Sequence, residues 1–263
     1  MKYQSLILGF LSVGTLSVWA GAAQAATINW TDWTTSNNSL NSNFVAQGTI
    51  TTSTSSVNVT YSNPQGISFY QPSGGTDYWQ NNQAGRTPAT SPYTSTAVSN
   101  IPTGTDLIAL QYAGNQTLTF SKTIANPVFS YVSLNGNGYA FDRDFNILSV
   151  GDPATGKDCG YFGCGTSSKS VVFNAGTGKT EYQLIGTGEP HGTLQFTGAF
   201  ETVSWRSLSN ENWNGFTVGI QGTAAEVFPP SASVPEPFTI VGTLVGGTAA
   251  LRMRKKLKST AKE

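Results

Sequence analysis

Between residues 26 and 233 apolar and polar side chains alternate over short stretches. The alternation breaks at Gly, Pro or Asn about every 8–12 residues, the spacing of an all-β domain. In Thr117-Leu118-Thr119-Phe120 and Leu194-Gln195-Phe196 the apolar residues lie two apart and so share one face of a strand. Read along the chain, the pattern predicts strands at 44–50, 57–61, 67–70, 107–112, 116–120, 128–134, 139–145, 146–150, 170–173, 180–186, 192–196, 202–205 and 217–221. No window of about 11 residues carries the apolar stripe of an amphipathic helix. The expected fold class is all-β, a single β-sandwich with a jelly roll as the leading topology. Residues 73–100, rich in Gly, Pro, Asn, Thr and Ser, are expected to form a long loop.

The two ends depart from this pattern. Lys2, the apolar stretch 6–18 and the Ala23-Gln24-Ala25 site have the order of a secretory signal peptide, placing the mature start at Ala26. At the other end Val234-Pro235-Glu236-Pro237 precedes an apolar run over 238–251 and a basic cluster containing Arg252, Arg254, Lys255, Lys256 and Lys258. As a helix, that run would cover about 21 Å of a hydrocarbon core of about 30 Å, and Gly242, Gly246 and Gly247 weaken it. This suits a transient membrane insertion, cations on the cytoplasmic side, better than a lasting anchor. The implied organisation is a signal peptide (1–25), an ectodomain (26–223), a linker (224–233) and a C-terminal sorting signal (234–258) with a short hydrophobic helix.

These C-terminal residues resemble the PEP-CTERM sorting signal of Gram-negative bacteria, and Pro-Glu-Pro-Phe-Thr-Ile-Val-Gly-Thr (235–243) is similar to its cyanobacterial variety. The resemblance implies processing by an exosortase-like membrane protease that recognises Val234, Pro235, Glu236 and Pro237. Signal peptidase would be the other processing partner. Phrases at 141–149, 189–198 and 211–219 are similar to other PEP-CTERM ectodomains, a resemblance that implies no activity.

Charge sharpens the picture. The whole chain is neutral, but residues 26–233 carry seven Lys/Arg against twelve Asp/Glu, a net of −5, because half of the cations sit in the tags. An acidic domain without a basic patch argues against nucleic-acid binding. Its two cysteines, Cys159 and Cys164, bracket Gly-Tyr-Phe-Gly; in an exported chain they are expected to pair as a disulfide that pins one loop.

Candidate chemistry is sparse. Gly176-Thr-Gly-Lys-Thr180 lacks the first glycine of a phosphate-binding loop and reads as a turn. His191, the single histidine, reads as structural, and no Gly-x-Ser-x-Gly elbow accompanies it. Asp142 and Asp144, two apart on a strand, are candidate Ca²⁺ ligands with Asn135, Asn137, Asp152 and Asp158, against the alternative of solvated carboxylates. No other cofactor is expected. Tyr78, Trp79, Asn81 and Asn82 combine flat aromatics with amides, the side chains that stack on sugar rings and read hydroxyls. They are candidate glycan contacts, with packing as the alternative, whereas Trp205 and Trp213 are expected in the core.

The leading expectation is therefore a non-enzymatic protein of the cell surface or extracellular matrix, sorted by an exosortase and adhering to glycans of an exopolysaccharide envelope. A secreted hydrolase of polysaccharide or ester, and a structural coat protein without a specific ligand, stay open as alternatives.

Overall fold

The computed structural model describes residues 24–229, so all but the last two residues of the expected signal peptide (1–25), the expected sorting motif Val234–Pro237 and the basic residues from Arg252 to Lys258 lie outside the described residues. Within that span the chain forms two antiparallel sheets and almost no helix. In the seven-stranded sheet β10 (Phe145–Val150), β13 (Gly192–Phe196), β8 (Val128–Val132), β15 (Asn214–Ile220), β6 (Leu107–Leu110) and β5 (Phe69–Gln71) lie side by side, and β1 (Asn29–Trp30) pairs with β15. The nine-stranded sheet runs β11 (Gly165–Asn174), β12 (Lys179–Gly188), β9 (Gly138–Phe141), β14 (Ala199–Ser207), β7 (Gly114–Ala125), β4 (Ser56–Asn63), β3 (Phe44–Thr51) and β2 (Asp32–Ser36), with β16 (Gly222–Thr223) added to β7.

The central strands follow one rule. β6, β8, β13 and β15 belong to the seven-stranded sheet, in the order β6-β15-β8-β13; β7, β9, β12 and β14 belong to the other, in the order β7-β14-β9-β12. The chain therefore crosses between sheets at nearly every step, and each sheet buries the other's inner face. Period-2 alternation selects that face: Val57, Val59 and Tyr61 on β4, Leu118 and Phe120 on β7, and Val203 and Trp205 on β14 all point into one core with Phe129, Leu194, Phe196 and Phe216. Its centre is aromatic. Phe129 and Phe216 stack at 4.9 Å, and Trp205 meets Phe216 edge-on at 5.2 Å.

The expected strands all coincide with observed ones; β1, β2 and β16 were not foreseen, being short or lacking clean alternation. The expected linker starts late. Ala224–Val227 form a helical turn capped by Thr223, and Glu226 accepts from the Thr52 and Thr54 hydroxyls, so the fold continues past residue 223. Among the described residues no helix is long and apolar enough to cross a membrane.

The long segment between β5 and β6 is a cover rather than a free loop. It lies on the outer face of the seven-stranded sheet, where the Ser149 hydroxyl donates to Pro92 O (2.6 Å) and the Thr193 hydroxyl to Tyr93 O (3.1 Å). Trp79 and Tyr93, fully buried with rings 5.0 Å apart, form a second core with Leu107, Ala109 and Val132. Arg86 braces the segment: its guanidinium donates twice to Asp77 (2.7 and 2.8 Å) and also to Pro102 O and Gly104 O. This is why β6, β8 and β15 are buried on both faces.

Candidate functional site

At one end of the two sheets the β6–β7, β8–β9, β12–β13 and β14–β15 connections converge. Glu211 N donates to Gln111 O (3.0 Å), Ala113 N to Asn210 Oδ1 (2.7 Å) and Ser209 N to Asn137 Oδ1 (2.9 Å), tying three of these loops together. Leu134 N donates to Pro190 O (3.1 Å), bringing in the fourth.

The disulfide loop joins them. Cys159 and Cys164 are paired, as expected, with Cα atoms 4.6 Å apart. Inside the pair Gly160 and Gly163 exchange backbone hydrogen bonds of 3.1 and 3.2 Å, which leaves Tyr161 and Phe162 at the tip of a tight turn. Glycine is required at 160 because a Cβ there would lie 2.0 Å from Cγ of His191. The loop therefore rests on the histidine ring.

The turn places its two aromatics against Tyr78 and Trp213. Ring centroids are 5.8 Å apart for Tyr78–Phe162, which stack, 5.3 Å for Phe162–Trp213, 4.9 Å for Tyr78–Trp213 and 5.1 Å for Tyr78–Tyr161. Phe69 backs Trp213 at 5.0 Å. Phe162 is 42% exposed, while Tyr78, Tyr161 and Trp213 are half-buried, so the group forms a patch that solvent reaches.

Polar groups flank it. Glu189 accepts from the Asn135 amide (2.7 Å) and the Ser133 hydroxyl, and Gly163 lies beside its stem. Glu211, two residues from Trp213, accepts from the Asn214 amide, whose oxygen in turn accepts from the Tyr139 hydroxyl. Burial pushes the Glu211 carboxyl up to about 7; the Asn214 hydrogen bond works against that and the nearby Glu189 adds to it. Beneath the patch His191 is fully buried. Its Nδ1–H donates to Glu189 O (2.8 Å), which fixes the tautomer, and Nε2 has no partner among the described residues. Burial holds this ring down at about 4.

No family model, curated protein or solved structure matches this chain.

Of the candidate glycan contacts, Tyr78 lies in the patch and Asn82 is exposed, with its N–H donating to Cys159 O (3.1 Å). Trp79 and Asn81 need correcting. Trp79 is fully buried, its Nε1–H donates to Asp106 O (3.2 Å), and Asn81 is buried with its amide turned to Asp158 (2.9 Å). Neighbours on a chain without regular structure need not be equally covered, and here Trp79 is fully buried whereas Tyr78 is half-buried with its ring against Phe162 and Trp213. Trp205 is in the core as expected; Trp213 is half-buried, packed against the second core and joined to the patch through Tyr78 and Phe162.

The candidate Ca²⁺ ligands are not brought together. Asp144 pairs with Lys169, Asp142 lies 3.8 Å from Arg143, Asp152 caps the short helical turn Pro153–Thr155, and Asp158 accepts from Thr90 and Asn81. Among the described residues no group of three His, Cys, Asp or Glu side chains is placed to hold a metal. Gly176, Thr177 and Gly178 lie in the β11–β12 turn, as read, and Lys179 and Thr180 begin β12. Tyr161, Phe162, Glu189 and Glu211 were missed as a group. The legible signal was an aromatic pair between glycines inside a cysteine pair.

Proposed function

We propose that this chain is an exported surface or matrix protein that binds glycans through the aromatic patch at the end of its two sheets. The observation that carries the reading is the solvent-reached group of Tyr78, Tyr161, Phe162 and Trp213, flanked by the Asn135–Glu189 pair and by Glu211. Flat rings cover the C–H faces of a sugar, carboxylates accept from its hydroxyls, and amides both accept and donate. The strand orders β6-β15-β8-β13 and β7-β14-β9-β12 support a jelly roll, an architecture that hosts lectin domains. The resemblance of residues 234–258 to a PEP-CTERM signal supports export, transient insertion in the inner membrane, and cleavage by an exosortase-like protease before release to the outer surface.

A glycan array probed with the purified protein tests the binding, with and without calcium. Binding that falls by roughly tenfold or more in Trp213→Ala or Phe162→Ala supports the reading, an effect in the range of an aromatic anchor. Uniform absence of binding would sink it.

A second reading, a polysaccharide hydrolase, is favoured by one observation. Burial keeps the Glu211 carboxyl protonated towards neutral pH, as a general acid requires. Two open grooves lie elsewhere. One, of about 480 Å³, is lined by Ser95, Ile147 and Lys157; the other, of about 440 Å³, by Asn115, Asp142 and Arg206. Neither includes Glu189 or Glu211. Release of reducing ends from a bound polysaccharide, abolished in Glu211→Gln, would transfer the weight to the hydrolase.

A further inference from the structure

A sheet ends in unpaired backbone groups, and folded chains shield such edges with short strands, bulges or charges. Three of the four edges here are shielded in this way. β5 has three residues, β2 shifts register between Trp33 and Thr35, and β10 shifts between Ile147 and Ser149. β11 is different. It is ten residues long, pairs with β12 from Gly165 to Asn174 without a register shift, and no described residue pairs with its outer edge.

The tip of this hairpin also overhangs. β9 pairs with β12 only over Tyr182–Ile185, so residues 172–174 and 179–181 at the tip have no further strand beside them. Val171 pairs with Tyr182 and Lys169 with Leu184, and Leu184 is in the core. Val171 and Phe173 therefore lie on the inner, apolar face of the nine-stranded sheet, past the reach of the opposite sheet. They are 59% and 67% exposed, and Val172 on the other face is 39% exposed. The one charge in the strand does not guard it. Lys169 is folded back onto Asp144, with its ammonium 5.3 Å from the Phe145 ring centroid.

We infer that β11 is a homodimer interface, pairing antiparallel with β11 of a second copy about a twofold axis near Val172. The occupant follows from the strand's own sequence. In that register Val171 meets Phe173 of the partner subunit, Val172 meets Val172 of the partner subunit and Ser170 meets Asn174 of the partner subunit: β-branched on aromatic, like on like at the axis, polar on polar. Residues 170–178 carry no charge, and Lys169 falls opposite residue 175 rather than opposite its own copy. The contact is isologous and closes at two copies, joining the nine-stranded sheets into one and covering both overhangs.

Sedimentation velocity of the full chain over a range of concentrations tests this. A reversible monomer–dimer equilibrium is expected. In Phe173→Lys, which brings two cations to the contact, dimerisation should weaken by about tenfold or more, with the thermal unfolding of the monomer unchanged because the side chain is exposed. Val172→Cys should cross-link as a dimer on mild oxidation, since both native cysteines are already paired. A monomer at every concentration, an assembly that survives Phe173→Lys, or Val172→Cys that stays monomeric would each overturn the inference.

Discussion

His191 and Gly160 together set the height of the aromatic patch. The ring has no room to move because Gly160 sits on it, and the loop cannot rise because the disulfide closes behind it. Gly160→Ala would drive a Cβ into the ring, an overpacking that should cost about 1–3 kcal/mol, measured as a shift in urea midpoint at constant slope. The same burial makes His191 a clean reporter. It is the only histidine, so its NMR titration is unambiguous, and the midpoint should fall near 4 rather than at the ordinary 6.5. Because the folded state binds this proton less well than the unfolded chain, the contribution of a neutral His191 is complete above 6.5. It is lost as pH falls from 6.5 through 4, by on the order of 2–3 kcal/mol. Glu211 works in the opposite sense. Its folded carboxyl is raised from 4.5 to about 7, so stability falls as pH rises through that window, and Glu211→Gln should remove that slope. A titration of His191 near 6.5 would mean that water reaches the ring.

Two elements carry the site without belonging to either sheet. The Cys159–Cys164 turn is too short to stabilise the whole fold by much, and its loss should cost about 2 kcal/mol by loop-closure entropy. Its effect on binding should be larger, since Tyr161 and Phe162 lose their fixed place beside Tyr78 and Trp213. Cys159→Ser with Cys164→Ser should therefore lower glycan affinity while the protein stays folded, read by calorimetry and circular dichroism on the same sample. The segment between β5 and β6 behaves in reverse. Trp79 is its buried plug, with no exposed surface of its own, and Trp79→Ala should destabilise by about 3–5 kcal/mol. The strands themselves were legible because alternation is a local property: Leu118 and Phe120 declare a buried face without reference to any other strand. A loop residue has no such periodicity. Tyr78 and Trp79 look alike in sequence, and only the sheet beneath them separates one that faces solvent from one that plugs a core.

For the whole molecule, the described fold runs through Ala224–Val227, four residues past the expected boundary at 223. If the tail is a sorting signal, replacing Pro235-Glu236-Pro237 with alanines should leave uncleaved chain in the membrane fraction, detected by immunoblot, without altering the unfolding midpoint of the domain. The sequence by itself determined the all-β class, most strands, the disulfide pairing and the acidic domain behind a neutral total. Each of these depends on period, spacing or counting, which a linear chain displays directly. Only the tertiary structure decided that Trp213 lies at a patch and Trp79 in a core, that the candidate Ca²⁺ carboxylates are scattered, and that β11 is left as an open edge. Those outcomes turn on which distant segments are packed over a residue, and strand crossing between two sheets brings together loops that are far apart in the chain.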